Sequence, residues 1–195
     1  MAITLDVPYV EGDDLHPRSN IEKMSSGHPL TDSDREPWLK LIRTTAEHMT
    51  LEVQSSAKIN TVTGANKRGV VISCSALKRR YRDVLRGLGQ RENNVKLSTF
   101  ENSQPLESPL FAMKTVFVYI EGTREVLMDR MTKRIGHFMK PSMLDKQLEA
   151  LENPVHEEDI IVVSTMDSTE DQVRVAKQGL KRVLNMGVEA SVVDS

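Results

Sequence analysis

This chain of 195 residues has a single cysteine, Cys74, no excess of charge of either sign, and no long apolar run. One cysteine excludes an internal disulfide framework and suits a reducing cytosol. With 26 basic and 28 acidic residues the formal net charge is -2, so no global field favours nucleic acid or an anionic membrane. Any basic function must be local. No apolar stretch approaches the length of a membrane span, and the first residues lack a basic-then-apolar leader pattern. No internal repeat is visible. Apolar residues make up 38% of the chain, low for a compact domain, but the shortfall is concentrated in two polar stretches. The expectation is a soluble cytoplasmic protein without nucleic-acid or membrane partners.

Four short apolar, β-branched runs are present: "VPYV" (7–10), "GVVISCS" (69–75), "TVFVYIEG" (115–122) and "DIIVVST" (159–165). Continuous apolar runs without alternation suit parallel strands covered on both faces. Helix starts lie between them. "SNIE" (19–22) reads as a capping box with Ser19 as N-cap. "TDSD" (31–34) opens a helix that puts Trp38, Ile42, Thr45 and Met49 on one face. Ser75 is placed to cap a helix carrying Leu77, Tyr81 and Leu85, and Thr123 to cap "REVLMDRMTKR". Val173, Ala176, Leu180 and Leu184 form the apolar face of a last helix. Alternating strands and helices predict an α/β fold, a three-layer parallel sheet with helices on both faces. The expected organisation is a single domain over 1–186, with polar insertions at 52–68 and 87–112 and a tail at 187–195.

Three clusters could carry chemistry. In "EGDDLHP" (11–17), Glu11, Asp13, Asp14 and His16 follow a strand, where a carboxylate can bind a hydroxyl, take its proton or hold a metal through water. Capping of the next turn is the plainer use of Asp13 and Asp14, and His16 before Pro17 is likewise more often a turn residue than a ligand. In "SCSALKRRYRD" (73–83), Lys78 and Arg82 stand four apart and are predicted to share a face toward one anion. Arg79 and Arg80 are predicted to be solvated. Bases at the C-terminal edge of a sheet stand where open α/β folds bind ligands. In "DRMTKRIGHFMKPSMLDKQ" (129–147), Arg130 and Arg134 flank Lys133, a break follows at Gly136, and a second helix starts near Ser142. That pattern describes either a lid able to close over phosphates or a plain helical hairpin with exposed bases.

Together, "EGDDLHPRSNIEKMSSGHPLTDSDREPWL" (11–39), "CSALKRRYRDVLR" (74–86) and "RIGHFMKPSMLDKQLEALE" (134–152) closely resemble the gluconokinase family. The resemblance covers most of the chain from residue 5 onward, outside the polar stretches. It implies a P-loop, nucleoside-monophosphate-kinase-like fold with a lid around 124–152. It also implies ATP- and Mg²⁺-dependent phosphorylation of the 6-hydroxyl of D-gluconate, giving 6-phosphogluconate. In the roles it implies, Asp13 orients the attacking hydroxyl and takes its proton. His16, Arg35, Lys78 and Arg82 contact the substrate. Arg130 and Arg134, with His137 nearby, clamp the phosphates, and Glu11 holds Mg²⁺ through water. The resemblance leaves a homodimer open.

Members of the family also begin with a strand and a G-x-x-x-x-G-K-[ST] loop whose amides cradle phosphate. No such stretch occurs in these 195 residues. "ITLDVPYV" is expected to be the end of the first helix running into the second strand, so that the first, central strand of a 2-3-1-4-5 sheet is missing. Three readings follow: a gluconokinase, a non-catalytic relative that binds gluconate or a protein partner without ATP turnover, and a kinase of another hydroxylated acid such as shikimate.

Overall fold

The computed structural model describes residues 1–56, 69–88, 113–133 and 143–189. The expected polar insertions, apart from their first few residues, and the end of the tail lie outside the described residues, as do Arg134 and His137. The elements run α1 (Ala2–Leu5), β1 (Tyr9–Glu11), a 3₁₀ turn (Gly12–Leu15), α2 (Arg18–Ser25), α3 (Asp32–Ser56), β2 (Val71–Ser73), α4 (Arg79–Arg86), β3 (Phe117–Glu121), α5 (Arg124–Lys133), α6 (Leu144–Ala150), β4 (Ile160–Ser164) and α7 (Thr169–Glu189). The fold is α/β with parallel strands, as the strand–helix alternation predicts. Two compact units emerge, one of Met1–Glu22 with Leu30–Lys114, the other of Lys23–Pro29 with Thr115–Ser195.

In the first unit β1 pairs in parallel with β2, Tyr9 opposite Val71 and Glu11 opposite Ser73. In the second, β3 pairs with β4 from Phe117–Ile160 to Glu121–Ser164. These are the partners that the 2-3-1-4-5 order gives to strands 2 and 3 and to strands 4 and 5. The expectation of strands covered on both faces holds best for β4, where Ile160, Ile161 and Val163 are buried. β1, β2 and β3 are only half-covered. Among the described residues each is a short strand in a two-stranded ribbon, which leaves it an open edge there.

The first unit is built on α3. Thr31 and Asp34 form a reciprocal cap: the Thr31 amide donates to Asp34 Oδ2 at 2.7 Å, and the Asp34 amide to Thr31 Oγ1 at 3.3 Å. The "TDSD" helix start is therefore real. The helix buries Trp38, Leu39, Ile42, Arg43, Ala46 and Thr50, a face rotated from the expected one, since Thr45 and Met49 remain half-buried. Arg43 explains the rotation. Its Nη1 donates to the Leu85 carbonyl at 2.9 Å and its Nε meets Glu47 at 2.6 Å, tying α3 to α4.

Two expected caps are corrected. α2 begins at Arg18, with Asn20 and Ile21 amides donating to the Pro17 carbonyl, so Ser19 lies inside the helix. Glu22 instead pairs with Arg18 at 2.9 Å. Proline fixes its own φ near the helical value, which suits it to helix entry. α4 starts at Arg79 behind Lys78 without a side-chain cap, leaving Ser75 in the preceding turn.

In the second unit Thr123 does cap α5, its carbonyl accepting from Leu127 N at 3.0 Å. Ser168 caps α7 through the Asp171 amide at 3.1 Å. α7 packs on β4 where Gly179 meets Ile161. Among its described side chains Ala176 and Val183 are buried, while Leu184 is 45% exposed, against the expected face. The backbone of α7 continues to Glu189, three residues beyond the boundary expected for the tail.

α4 ends at Gly87, whose φ of 81° lies in the left-handed region and whose Cα faces the Arg43 guanidinium. A Gly87→Ala substitution adds left-handed strain of about 1–2 kcal/mol and crowds Arg43. The midpoint of thermal unfolding should fall by roughly 2–4 °C per kcal/mol lost, measured by circular dichroism.

Candidate active site

The acidic turn is held from beneath. β1 runs into Gly12, where a Cβ would overlap the Ser73 carbonyl oxygen of β2, so only glycine lets the strands approach this closely. The Gly12 carbonyl accepts a hydrogen bond from Trp38 Nε1 at 2.7 Å. Trp38 is fully buried. Its ring stacks on His16 at 4.1 Å between centroids and 12° between planes. His16 Nε2 lies 4.0 Å from Asp13 Oδ1. Asp13 is half-buried and Asp14 exposed. The turn is capped by Glu11, whose Oε1 accepts from the Asp13 amide at 3.5 Å. Glu11 also receives the hydroxyls of Ser73, through a short hydrogen bond, and of Tyr9 at 2.8 Å.

Burial holds the His16 ring below its ordinary pKa; Asp13 pulls it upward and Arg35 pushes it further down. A buried imidazole beside an arginine is neutral at pH 7. Desolvation, helped by Asp13 and Glu11, pushes the Cys74 thiol up to about 12, which leaves it unreactive at neutral pH.

Beside the turn, α3 and α4 collect cations around Tyr81. Arg35, Lys78 and Arg80 lie 5.7, 5.7 and 5.4 Å from the ring centroid. Lys78 Nζ reaches Asp32 Oδ1 at 3.0 Å. Arg80 and the Tyr81 hydroxyl also converge on Asp32. Three cations gather at the Tyr81 ring and two of them pair with Asp32, which leaves a net positive patch suited to an anion.

In the second unit Arg130 donates to the Thr165 carbonyl. Thr165 Oγ1 is buried with no hydrogen-bond partner among the described residues. Arg124 grips Asp145 in a two-pronged pair, 2.5 and 2.8 Å, joining α5 to α6.

No protein-family model matches the chain. The thermoresistant gluconokinase of Escherichia coli (strain K12) is 36% identical over 183 residues, covering 93% of this chain and 83% of that protein. The gluconokinase of Gluconobacter oxydans (strain 621H) is 40% identical over 164 residues, covering 84% and 71%. A crystal structure of a gluconokinase from Sinorhizobium meliloti 1021 is similar at a TM-score of 0.66 with 36% identity, covering 96% of this chain and 85% of that one. This chain belongs to the gluconokinase family. An unliganded sugar kinase from Janibacter sp. HTCC2649 is similar to the same extent, with a TM-score of 0.66 and 32% identity over 92% of this chain and 83% of that one.

Measured against the roles that the gluconokinase resemblance implies, the first unit gathers Glu11, Asp13, His16, Arg35 and Lys78. Arg82 is different. It is 2% exposed, and its Nη1 donates to the carbonyls of Ala76 and Leu77 at 2.8 and 3.1 Å. It braces the turn that carries Lys78, so Lys78 and Arg82 do not face one anion together. Arg79 and Arg80 are exposed, as expected, and Arg80 also pairs with Asp32. His16 is also buried, beneath Asp13 and not at the surface. Sequence reasoning missed Asp32 and Tyr81. An acidic residue in a helix's first turn is ordinary, and Tyr81 fits the core repeat of α4, so neither carried a distinguishing signal.

A Trp38→Phe substitution keeps a ring against His16 but leaves the Gly12 carbonyl without its donor. It should cost about 1–3 kcal/mol, read from urea unfolding.

Acid should also destabilise the fold through His16. Its folded pKa is lower than the unfolded value of 6.5, so below that value the unfolded chain binds more protons and stability falls as pH drops. Unfolding midpoints between about pH 7.5 and 5.5 should decline less steeply in His16→Gln than in the parent.

Proposed function

We propose that the chain is a gluconokinase that transfers the γ-phosphoryl group of ATP to the 6-hydroxyl of D-gluconate, giving 6-phospho-D-gluconate. The observation that carries this reading is one arrangement in the first unit. A half-buried carboxylate, Asp13, stands at the C-terminal end of β1, beside a cationic patch of Arg35, Lys78 and Arg80 from α3 and α4. Gluconate is a carboxylate on a polyol and needs both features. The identity of the chain to gluconokinases supports the substrate.

In this reading the patch takes the gluconate carboxylate and nearby hydroxyls, and Asp13 orients the 6-hydroxyl and accepts its proton. The new O–P bond forms as the bond from the γ-phosphorus to the bridging oxygen breaks, and ADP leaves. Phosphoryl transfer is mostly positioning and charge neutralisation. Arg130 from α5, together with Arg134 and His137, would neutralise the phosphates from a lid spanning 124–152, and the Arg124–Asp145 pair between its two helices supports that unit. We read both compact units as parts of one kinase domain over 1–186. Among the described residues no group of three or more His, Cys, Asp or Glu side chains could hold a metal. Glu11, already accepting from Tyr9, Ser73 and Asp13, fits an outer contact through water to Mg²⁺, which would offset phosphate charge. The lone cysteine supports a cytoplasmic location. Among the described residues, no helix is long and apolar enough to cross a membrane.

The test is ADP release dependent on both gluconate and ATP, set beside calorimetry with gluconate alone. Asp13→Asn should lower kcat by about 10²–10⁴-fold while gluconate binding persists. Gluconate binding by the parent chain without ADP release would replace this reading with the binding-only one. Full activity of Asp13→Asn would remove Asp13 from its role.

A further inference from the structure

Asn20 lies under the acidic turn and is 4% exposed. Its Nδ2 donates to the main-chain carbonyl of Asp34 at 2.8 Å. The same atom lies 3.3 Å from His16 Nδ1. A carbonyl oxygen can only accept, so Asp34 fixes which end of the amide points this way, and it is the nitrogen. The second hydrogen on that nitrogen then meets His16 Nδ1, which must be the accepting, unprotonated ring nitrogen. A neutral imidazole carries its single proton on the other one, Nε2, the atom 4.0 Å from Asp13 Oδ1. Stacking on Trp38 holds the ring plane. The ring's orientation and its tautomer are therefore set by two different neighbours.

We propose that Asn20 is a positioning residue for phosphoryl transfer: anchored on the Asp34 carbonyl at the start of α3, its amide keeps His16 in the Nε2–H tautomer, so that an N–H faces Asp13. This rests on Asp13 being the proton acceptor. The opposite tautomer would set a nitrogen lone pair against the Asp13 carboxylate and push it away. A protonated ring would pair with the carboxylate and make it a poorer base. The charged groups acting on His16 are Asp13 from the turn and Arg35 from α3. Asn20 supplies a donor without a charge, which neither of them can.

The test uses the full chain labelled with ¹⁵N-histidine. A long-range ¹H–¹⁵N spectrum near pH 7.5 should show His16, identified by its loss in His16→Gln, with Nε2 protonated and Nδ1 bare. That measurement needs no variant at Asn20, and the Nδ1–H form in the parent would overturn the proposal. Asn20→Asp, an acceptor of nearly the same shape, should convert His16 to the Nδ1–H or doubly protonated form. A folded Asn20→Asp with an unchanged His16 spectrum would also overturn it. In the kinase assay Asn20→Asp should lower kcat on the order of tenfold with little change in KM for gluconate, and an unchanged kcat would remove the positioning role. The spectrum is read without turnover, so failure of Asp13 as the base and failure of Asn20 as the tautomer lock are separate results.

Discussion

The buried indole of Trp38 is the constraint on which the candidate site depends. One N–H reaches back to the Gly12 carbonyl and one ring face carries His16. Neither contact is individually large. A buried hydrogen bond is worth about 1 kcal/mol net, and a ring stack about 0.5–1.5 kcal/mol. Their geometric effect is greater, because they hold a turn of only four residues in place. Gly12 completes the arrangement from the other side by letting β1 touch the Ser73 backbone. The turn that presents Asp13 is thus gripped between strand and helix.

The two halves of the site use charge differently. Around the turn, burial, with Arg35 nearby, holds His16 below its ordinary pKa. Around Tyr81 three cations gather, and Asp32 pairs with two of them. An anionic polyol and a hydroxyl to be deprotonated require these opposite environments side by side. They come from different elements: β1 and its turn on one hand, the starts of α3 and α4 on the other. Arg35 connects them, since it sits over Tyr81 and also acts on His16.

Much of the scaffold was legible in the residues. β-branched runs marked the four strands found among the described residues, and the Thr31 and Thr123 helix starts are present as expected. What local patterns could not supply was depth. Arg82 and Lys78 stand at helical spacing, yet one is sealed under a turn and the other is partly open, because the turn's carbonyls need a donor and Arg82 is within reach. Ser19 looked like a cap until Pro17 set the helix start two residues earlier. The face of α3 was displaced by Arg43, a long cation whose stem is buried while its head bonds α4. Asn20 had no signal at all, since its use lies in a carbonyl fourteen residues away. Roles that depend on burial and on distant backbone groups are not written in short motifs.

Trp38 is also the chain's sole tryptophan. Its emission therefore originates at one place, against the ring of His16 and the carbonyl of Gly12. Any event that shifts the acidic turn, whether a ligand arriving or a proton landing on the imidazole, is reported by that single fluorophore without a label. The same contact that steadies the turn makes it optically observable.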